Sequence, residues 1–77
     1  MFRTLVKIDA VSVGDQQFPV RYFELRTTRG LRRYSAEIIL GAADRIIIDD
    51  DSVNNLEARA ARLVPATVYS RILARTA

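Results

Sequence analysis

The 77-residue chain contains no cysteine and no histidine. Without cysteine there is no disulfide framework, no thiolate metal site and no cysteine nucleophile. Without histidine the chain lacks the commonest transition-metal ligand and the usual general base near neutral pH. These absences argue against zinc chemistry and against hydrolysis by a serine–histidine or cysteine–histidine pair. We therefore expect a protein that is not an enzyme and that binds no metal or cofactor.

Long apolar segments are also missing. The longest apolar runs are only a few residues, which is too short for a membrane helix. Residues 1–5 lack the apolar core of a secretory signal. We therefore expect a cytoplasmic protein with no membrane span. The net charge is +3, with a single lysine among the basic residues. A charge of this size favours weak contact with nucleic acid without being diagnostic of it.

The spacing of the apolar residues changes near residue 50. Residues 2–49 alternate roughly every second residue, whereas residues 52–76 repeat every three to four and contain no glycine. The first spacing indicates strands and the second an amphipathic helix. A chain of this length has room for one domain. We predict a single α+β domain over residues 1–77, a four-stranded antiparallel meander with a C-terminal helix packed on one face.

Turn residues place the boundaries of these elements. Glycine occurs in each predicted turn, at residues 14–17, 28–30 and 41–44. The four strands are predicted at residues 3–13, 18–27, 31–40 and 45–49. Asp50, Asp51 and Ser52 are good N-cap residues for the helix that follows. Pro65 removes a backbone donor, so we expect one kinked helix or two short helices near residues 63–65.

The facing of each strand decides which residues lie against the helix. A shift of one residue in the strand register moves every side chain to the opposite face of the sheet. In the register that we predict, Ile8 pairs with Phe23 and Ile38 pairs with Ile48, all facing the helix. Arg21 fits this face poorly, and we expect its stem to be buried with its charged head in water. The helix residues expected to pack on the sheet are Leu56, Leu63, Val68 and Ile72.

The opposite face of the sheet, which we call the outer face, is predicted to carry an aliphatic row. Its members are Val11, Val20, Ile39 and Ile47, with Tyr22 beside them as an aromatic anchor. Exposed apolar rows often mark interfaces, and aromatic residues are enriched there. Scattered surface hydrophobes without a role are the alternative interpretation. The leading hypothesis is a small non-enzymatic interaction module, a homo-oligomer or the binder of a protein partner.

The same register places three acidic residues near one another on the outer face, namely Asp9, Glu37 and Asp49. Carboxylate oxygens suit Mg2+ or Ca2+. Residues 49–51, however, lack the glycine and the downstream glutamate of a calcium loop. Arg45 and Lys7 are available to neutralise these carboxylates. Helix capping and solvation are the preferred interpretation, and a Mg2+-dependent hydrolase is the alternative.

Four arginines surround the second turn: Arg26, Arg29, Arg32 and Arg33. An arginine-rich hairpin can contact phosphates and enter a nucleic-acid groove. A solvated charged hairpin has the same composition, and none of the common nucleic-acid-binding motifs is present. The alternative to the interaction module is therefore a nucleic-acid-binding or regulatory protein that uses these arginines.

Overall fold

Glycine turns and a change of apolar period produce four strands followed by one helix. The computed structural model describes the backbone of residues 2–76 and the side chains of residues 3–75. The elements are β1 (Phe2–Val13), β2 (Gln16–Arg26), β3 (Arg32–Gly41), β4 (Asp44–Asp50) and α1 (Val53–Thr76). The strands form one antiparallel sheet in the order β1-β2-β3-β4, and α1 packs on one face of it. The predicted α+β meander is confirmed.

Glycines with positive φ close the first two turns. Gly14 has a φ of +59° and is the first of two residues between the paired Val13 and Gln16. This placement is typical of a type II′ hairpin turn. Gly30 has a φ of +78°, and its N–H donates a hydrogen bond to the carbonyl of Thr27. Because other residues are strained in this conformation, these glycines determine where the strands reverse.

Ser52 caps the helix. Its hydroxyl accepts a hydrogen bond from the N–H of Asn55 at 3.1 Å, and its carbonyl accepts one from the N–H of Leu56 at 3.2 Å. This is the usual N-cap geometry. The carboxylate of Asp50 accepts a hydrogen bond from the side-chain amide of Asn55 at 3.0 Å and contacts Arg59 at 3.3 Å. The helix start predicted at these residues is confirmed.

α1 is one helix that continues through Pro65. The expected division into two short helices is wrong, and the expected kink is not shown. Proline removes the hydrogen bond to the carbonyl four residues earlier. That residue is Ala61, which is exposed, so water can satisfy its carbonyl. Val64 and Val68 pack against the core on either side of the proline, and this packing supports a continuous helix.

The hydrophobic core lies between α1 and the helix side of the sheet. Its buried members are Val20, Tyr22, Ala36, Ile38, Leu56, Ala60 and Val64. Ile38 lies in this core and Ile48 packs against it, which confirms the predicted facing of β3 and β4. The predicted facing of β1 and β2 is wrong, because Val20 is completely buried under α1 whereas Ile8 is exposed.

A β-bulge accounts for the facing of β1. The register shifts between Leu5, which pairs with Phe23, and Lys7, which pairs with Tyr22. The extra residue, Val6, therefore interrupts the alternation, and Leu5 and Lys7 face opposite sides of the sheet. The Nζ of Lys7 reaches Glu57 on α1 at 2.9 Å. The predicted alternation ran through β1 without a bulge and therefore placed Ile8 against the helix.

The facing of β2 keeps Arg21 out of the core, while Glu24, the other charge inside the strand, lies on the helix side and contacts Arg26 and Arg32. Val20 pairs with Ile38 on the helix side, and Arg21 pairs with Glu37 on the outer face. The predicted register chose Phe23 as the helix-facing residue and so placed Arg21 toward the core. Burying a charge without a partner is costly, and the observed facing avoids that cost.

The last turns of α1 are not part of the core. Ile72, predicted to pack on the sheet, is half exposed and lies outside the buried cluster, and Leu73 beside it is 67% exposed. The predicted packing of Ile72 is therefore wrong.

The observed facing predicts that two truncations differ in how much they lower the free energy of unfolding. Val20→Ala should lower the free energy of unfolding by about 2 kcal/mol, because it leaves a cavity in the core. Ile8→Ala should change it by less than about 0.5 kcal/mol, because the side chain is already exposed. Urea unfolding of dilute protein, followed by circular dichroism, measures both. The reverse order of costs would contradict the facing described here.

The helix start predicts a loss of stability in acid. The hydrogen bond from Asn55 and that from the N–H of Asp51 hold the pKa of Asp50 below its ordinary value of 3.8. A lowered carboxyl pKa stabilises the fold above the ordinary value, and this contribution is lost as the pH falls through the folded-state pKa. The melting temperatures of the wild type and Asp50→Asn should therefore differ near neutral pH, and the difference should begin to shrink below about pH 4 and vanish below the folded-state pKa.

Asn55→Ala tests the cause of this shift. The variant removes the largest contribution, so the pKa of Asp50 should rise toward its ordinary value in an NMR titration. An Asp50 pKa that does not rise in Asn55→Ala would show that this hydrogen bond is not the cause.

Candidate interaction surface

The outer face is organised around one row of four side chains that crosses the whole sheet. Ile8 on β1 pairs with Arg21 on β2, Arg21 pairs with Glu37 on β3, and Glu37 pairs with Ile47 on β4. Directly opposed residues have β-carbons about 5 Å apart, so neighbours in this central row lie within contact distance. Across the sheet, the central row is apolar, basic, acidic and apolar.

Glu37 is the buried charge of the central row, with 4% of its surface exposed. Its carboxylate lies 2.9 Å from the Nη1 of Arg45 and 3.6 Å from the Nη1 of Arg21. These partners compensate the charge, as burial of a carboxylate requires. Both arginine side chains are more than half exposed. Each guanidinium carries five N–H donors, so donors remain for a further acceptor above the sheet.

Apolar side chains flank this charged centre. Ile8 and Ile47, at the two ends of the central row, are 65% and 55% exposed, and Leu5 is 47% exposed. Phe23 lies beside Leu5 in the sheet and is nearly buried. The guanidinium of Arg3 is 3.9 Å from the centroid of its ring, a cation–π contact that covers the aromatic face. The outer face therefore has an ion pair at its centre and exposed apolar side chains around it.

The structure divides the five residues predicted to form an interface. Ile39 and Ile47 lie on the outer face, as predicted. The other three, Val11, Val20 and Tyr22, lie on the helix side and contribute to the core, so their predicted placement is corrected. Sequence reasoning missed Ile8 and Arg21 as outer-face residues. The poor fit of an arginine to an apolar core was the signal that indicated the correct facing.

Tyr22 is a core aromatic residue in this structure. Burial raises the pKa of its phenol. The Nζ of Lys7 lies 6.0 Å from the centroid of its ring, and the hydrogen bond from Lys7 to Glu57 raises the pKa of the lysine. The tyrosine is therefore held between the sheet, the helix and this ion pair, away from the outer face.

The three acidic residues predicted to cluster do not share a surface. Asp9 pairs with Val20 and faces the helix side, where Lys7 lies 3.7 Å away. Glu37 and Asp49 are on the outer face, separated by two positions along the ladder. Among the residues that the structure describes, no group of three histidine, cysteine, aspartate or glutamate side chains is arranged to hold a metal. The predicted grouping is wrong for two reasons. β1 has the opposite facing after its bulge, and Ile38 pairs with Ile46 instead of the predicted Ile48, so Glu37 does not oppose Asp49.

The four arginines of the second turn are distributed over both faces of the β2–β3 hairpin. Arg26 and Arg32 are ladder partners on the helix side, and both contact Glu24, at 3.3 and 3.9 Å. Arg33 lies on the outer face, and Arg29 is exposed in the turn. The hairpin therefore presents positive charge on both of its sides and at its tip.

No protein-family model matches this chain, and neither does any curated protein or any solved structure. Within residues 2–76, no helix combines the length and the apolar character needed to cross a membrane.

Proposed function

We propose that this protein is a non-enzymatic module that associates with a second copy of itself through the outer face. The observation that carries the proposal is the order of the central row: apolar, basic, acidic, apolar. In the reverse direction the order is apolar, acidic, basic, apolar. A second copy that meets the row in reverse therefore places a complementary group against every member. The proposal retains the cytoplasmic location expected from the sequence.

A twofold axis parallel to the strands, between β2 and β3, produces this reversal. It stacks Ile8 of one copy on the partner's Ile47, and Arg21 on the partner's Glu37. Exposed donors of Arg21 would then meet a carboxylate that is already oriented by its own chain. A twofold axis across the strands would instead set Glu37 against Glu37 and Arg21 against Arg21. Like charges opposed in this way are costly, so the first axis is favoured.

The edges of the sheet favour contact between faces over addition of strands. β1 carries a bulge between Leu5 and Lys7. β4 has only seven residues, and four of them are charged: Asp44, Arg45, Asp49 and Asp50. Bulges, short strands and edge charges are the features by which proteins prevent edge-to-edge pairing. The uncovered outer face is the surface on which a partner meets no such obstacle.

The outer face is also large enough for a stable dimer. Four strands spaced about 4.8 Å apart and about ten residues long cover roughly 600 Å² when flattened. Projecting side chains bring the accessible area toward the roughly 800 Å² that each partner contributes to a standard interface. Two such sheets would pack about 10 Å apart, as in a β-sandwich.

Ile8→Asp and Ile47→Asp should each dissociate the dimer. Either change places a carboxylate in an apolar contact of the interface, and we expect association to weaken at least about tenfold. Both isoleucines are more than half exposed in the single chain, so each variant should remain folded. Sedimentation equilibrium measures the association, and circular dichroism verifies the fold.

Leu31→Asp is the matched control for these variants. Leu31 is 64% exposed, close to the exposure of Ile8, but it lies next to the second turn and outside the central row. This variant should dimerise like the wild type. A wild type that stays monomeric throughout the micromolar range would overturn the proposal, as would equal weakening by Leu31→Asp.

A pair of charge reversals tests the reversed row directly. Arg21→Glu makes the centre of the row entirely acidic, and Glu37→Arg makes it entirely basic. Each variant alone should therefore repel its own copy and remain monomeric. An equimolar mixture should form a heterodimer, because every charge then meets its opposite across the interface. Failure of two folded variants to associate when mixed would contradict the proposed pairing.

A further inference from the structure

The net charge of the chain is concentrated at one end of the sheet, which we call the hairpin end. Its basic residues are Arg3, Arg26, Arg29, Arg32 and Arg33. Its acidic residues are Glu24, Asp50 and Asp51, and Glu24 and Asp51 contact three of these arginines. Seven basic and six acidic residues remain elsewhere, so +2 of the net charge of +3 lies at this end.

The hairpin end extends past β4 and is flanked by β1. β1 pairs with β2 as far as Arg26, whereas β4 ends at Asp50, which pairs with Tyr34. The turn, residues 27–31, is the part that extends beyond all of these strands. Arg26 and Arg32 lie on one face of this end, Arg33 lies on the other, and Arg29 is exposed in the turn. The major groove of B-DNA is about 12 Å wide and has a phosphate strand along each wall, so a projecting turn with arginines on both faces can contact both walls.

The acidic partners do not prevent such contacts. Glu24 is shared by two guanidinium groups, so one positive charge at this position is not compensated. Asp51, the partner of Arg33, is 80% exposed. An exposed ion pair of this kind contributes only about 0–1 kcal/mol, so a phosphate can replace the carboxylate at little cost.

The aromatic residues nearest these arginines favour a duplex over a single strand. Within residues 3–75, Phe23 is nearly buried and Tyr34 is half-buried beside the core. Proteins that bind single strands stack bases on exposed aromatic rings, which these residues do not present. We infer that the hairpin end binds double-stranded DNA through its phosphates, without sequence preference. This inference does not depend on association through the outer face.

Fluorescence anisotropy with a short random-sequence DNA duplex tests this inference. The affinity should fall linearly with salt on a double-logarithmic plot, with a slope of about −0.9 for each phosphate neutralised. The double variant Arg29→Ala/Arg33→Ala should bind at least about tenfold more weakly at low salt, with a slope shallower by about two.

The control variant Arg62→Ala/Arg75→Ala removes the same charge from exposed positions on α1 and should retain the wild-type affinity and slope. The Ile8→Asp variant should still bind in a salt-dependent manner, so failure of self-association and failure of DNA binding are distinguishable. No binding at low salt would overturn the inference, as would equal losses in the two double variants. Tighter binding to a single-stranded oligonucleotide or to duplex RNA would also overturn it.

Discussion

The step from Val20 to Arg21 determines both faces of the sheet. Val20 has no exposed surface because α1 covers it, and the next residue must project to the opposite side. Arg21 therefore opposes Glu37, and the buried carboxylate acquires one of its two partners. Core packing and the charge order of the outer face are thus two results of one register. If β2 had the opposite facing, the core packing and the charge order of the outer face would both be lost. Arg21 would be buried, and Glu37 would lose one of its two arginine partners.

Local signals in the sequence are sufficient for the elements and for half of the facing. Glycine at the turns and a hydroxyl at the start of the helix act within a few residues, so every predicted strand boundary lies within two residues of the observed one. β3 and β4 are also unambiguous. In each of them the isoleucine of the core, Ile38 or Ile48, adjoins a charged residue, Glu37 or Asp49, that cannot enter an apolar core.

The remaining features depend on contacts between strands. β2 has apolar residues in both phases, Val20 on one side and Phe23 on the other, so its alternation alone does not choose a face. The bulge at Val6 results from pairing with β2, and a single strand read by itself gives no sign of it. The cluster at Glu37 joins residues of three strands. Its recognition requires the register of the whole sheet, and an error in one strand scatters its members.

The direction of the strands has a consequence for a pair of these molecules. Rotation about an axis parallel to the strands leaves that direction unchanged, so the hairpin ends of both copies would lie at the same end of the pair. One duplex would then be bound by both copies. The second copy would bind at the high effective concentration that the first one creates, which raises the overall affinity without any new kind of contact. By thermodynamic reciprocity, DNA would in turn hold the two copies together.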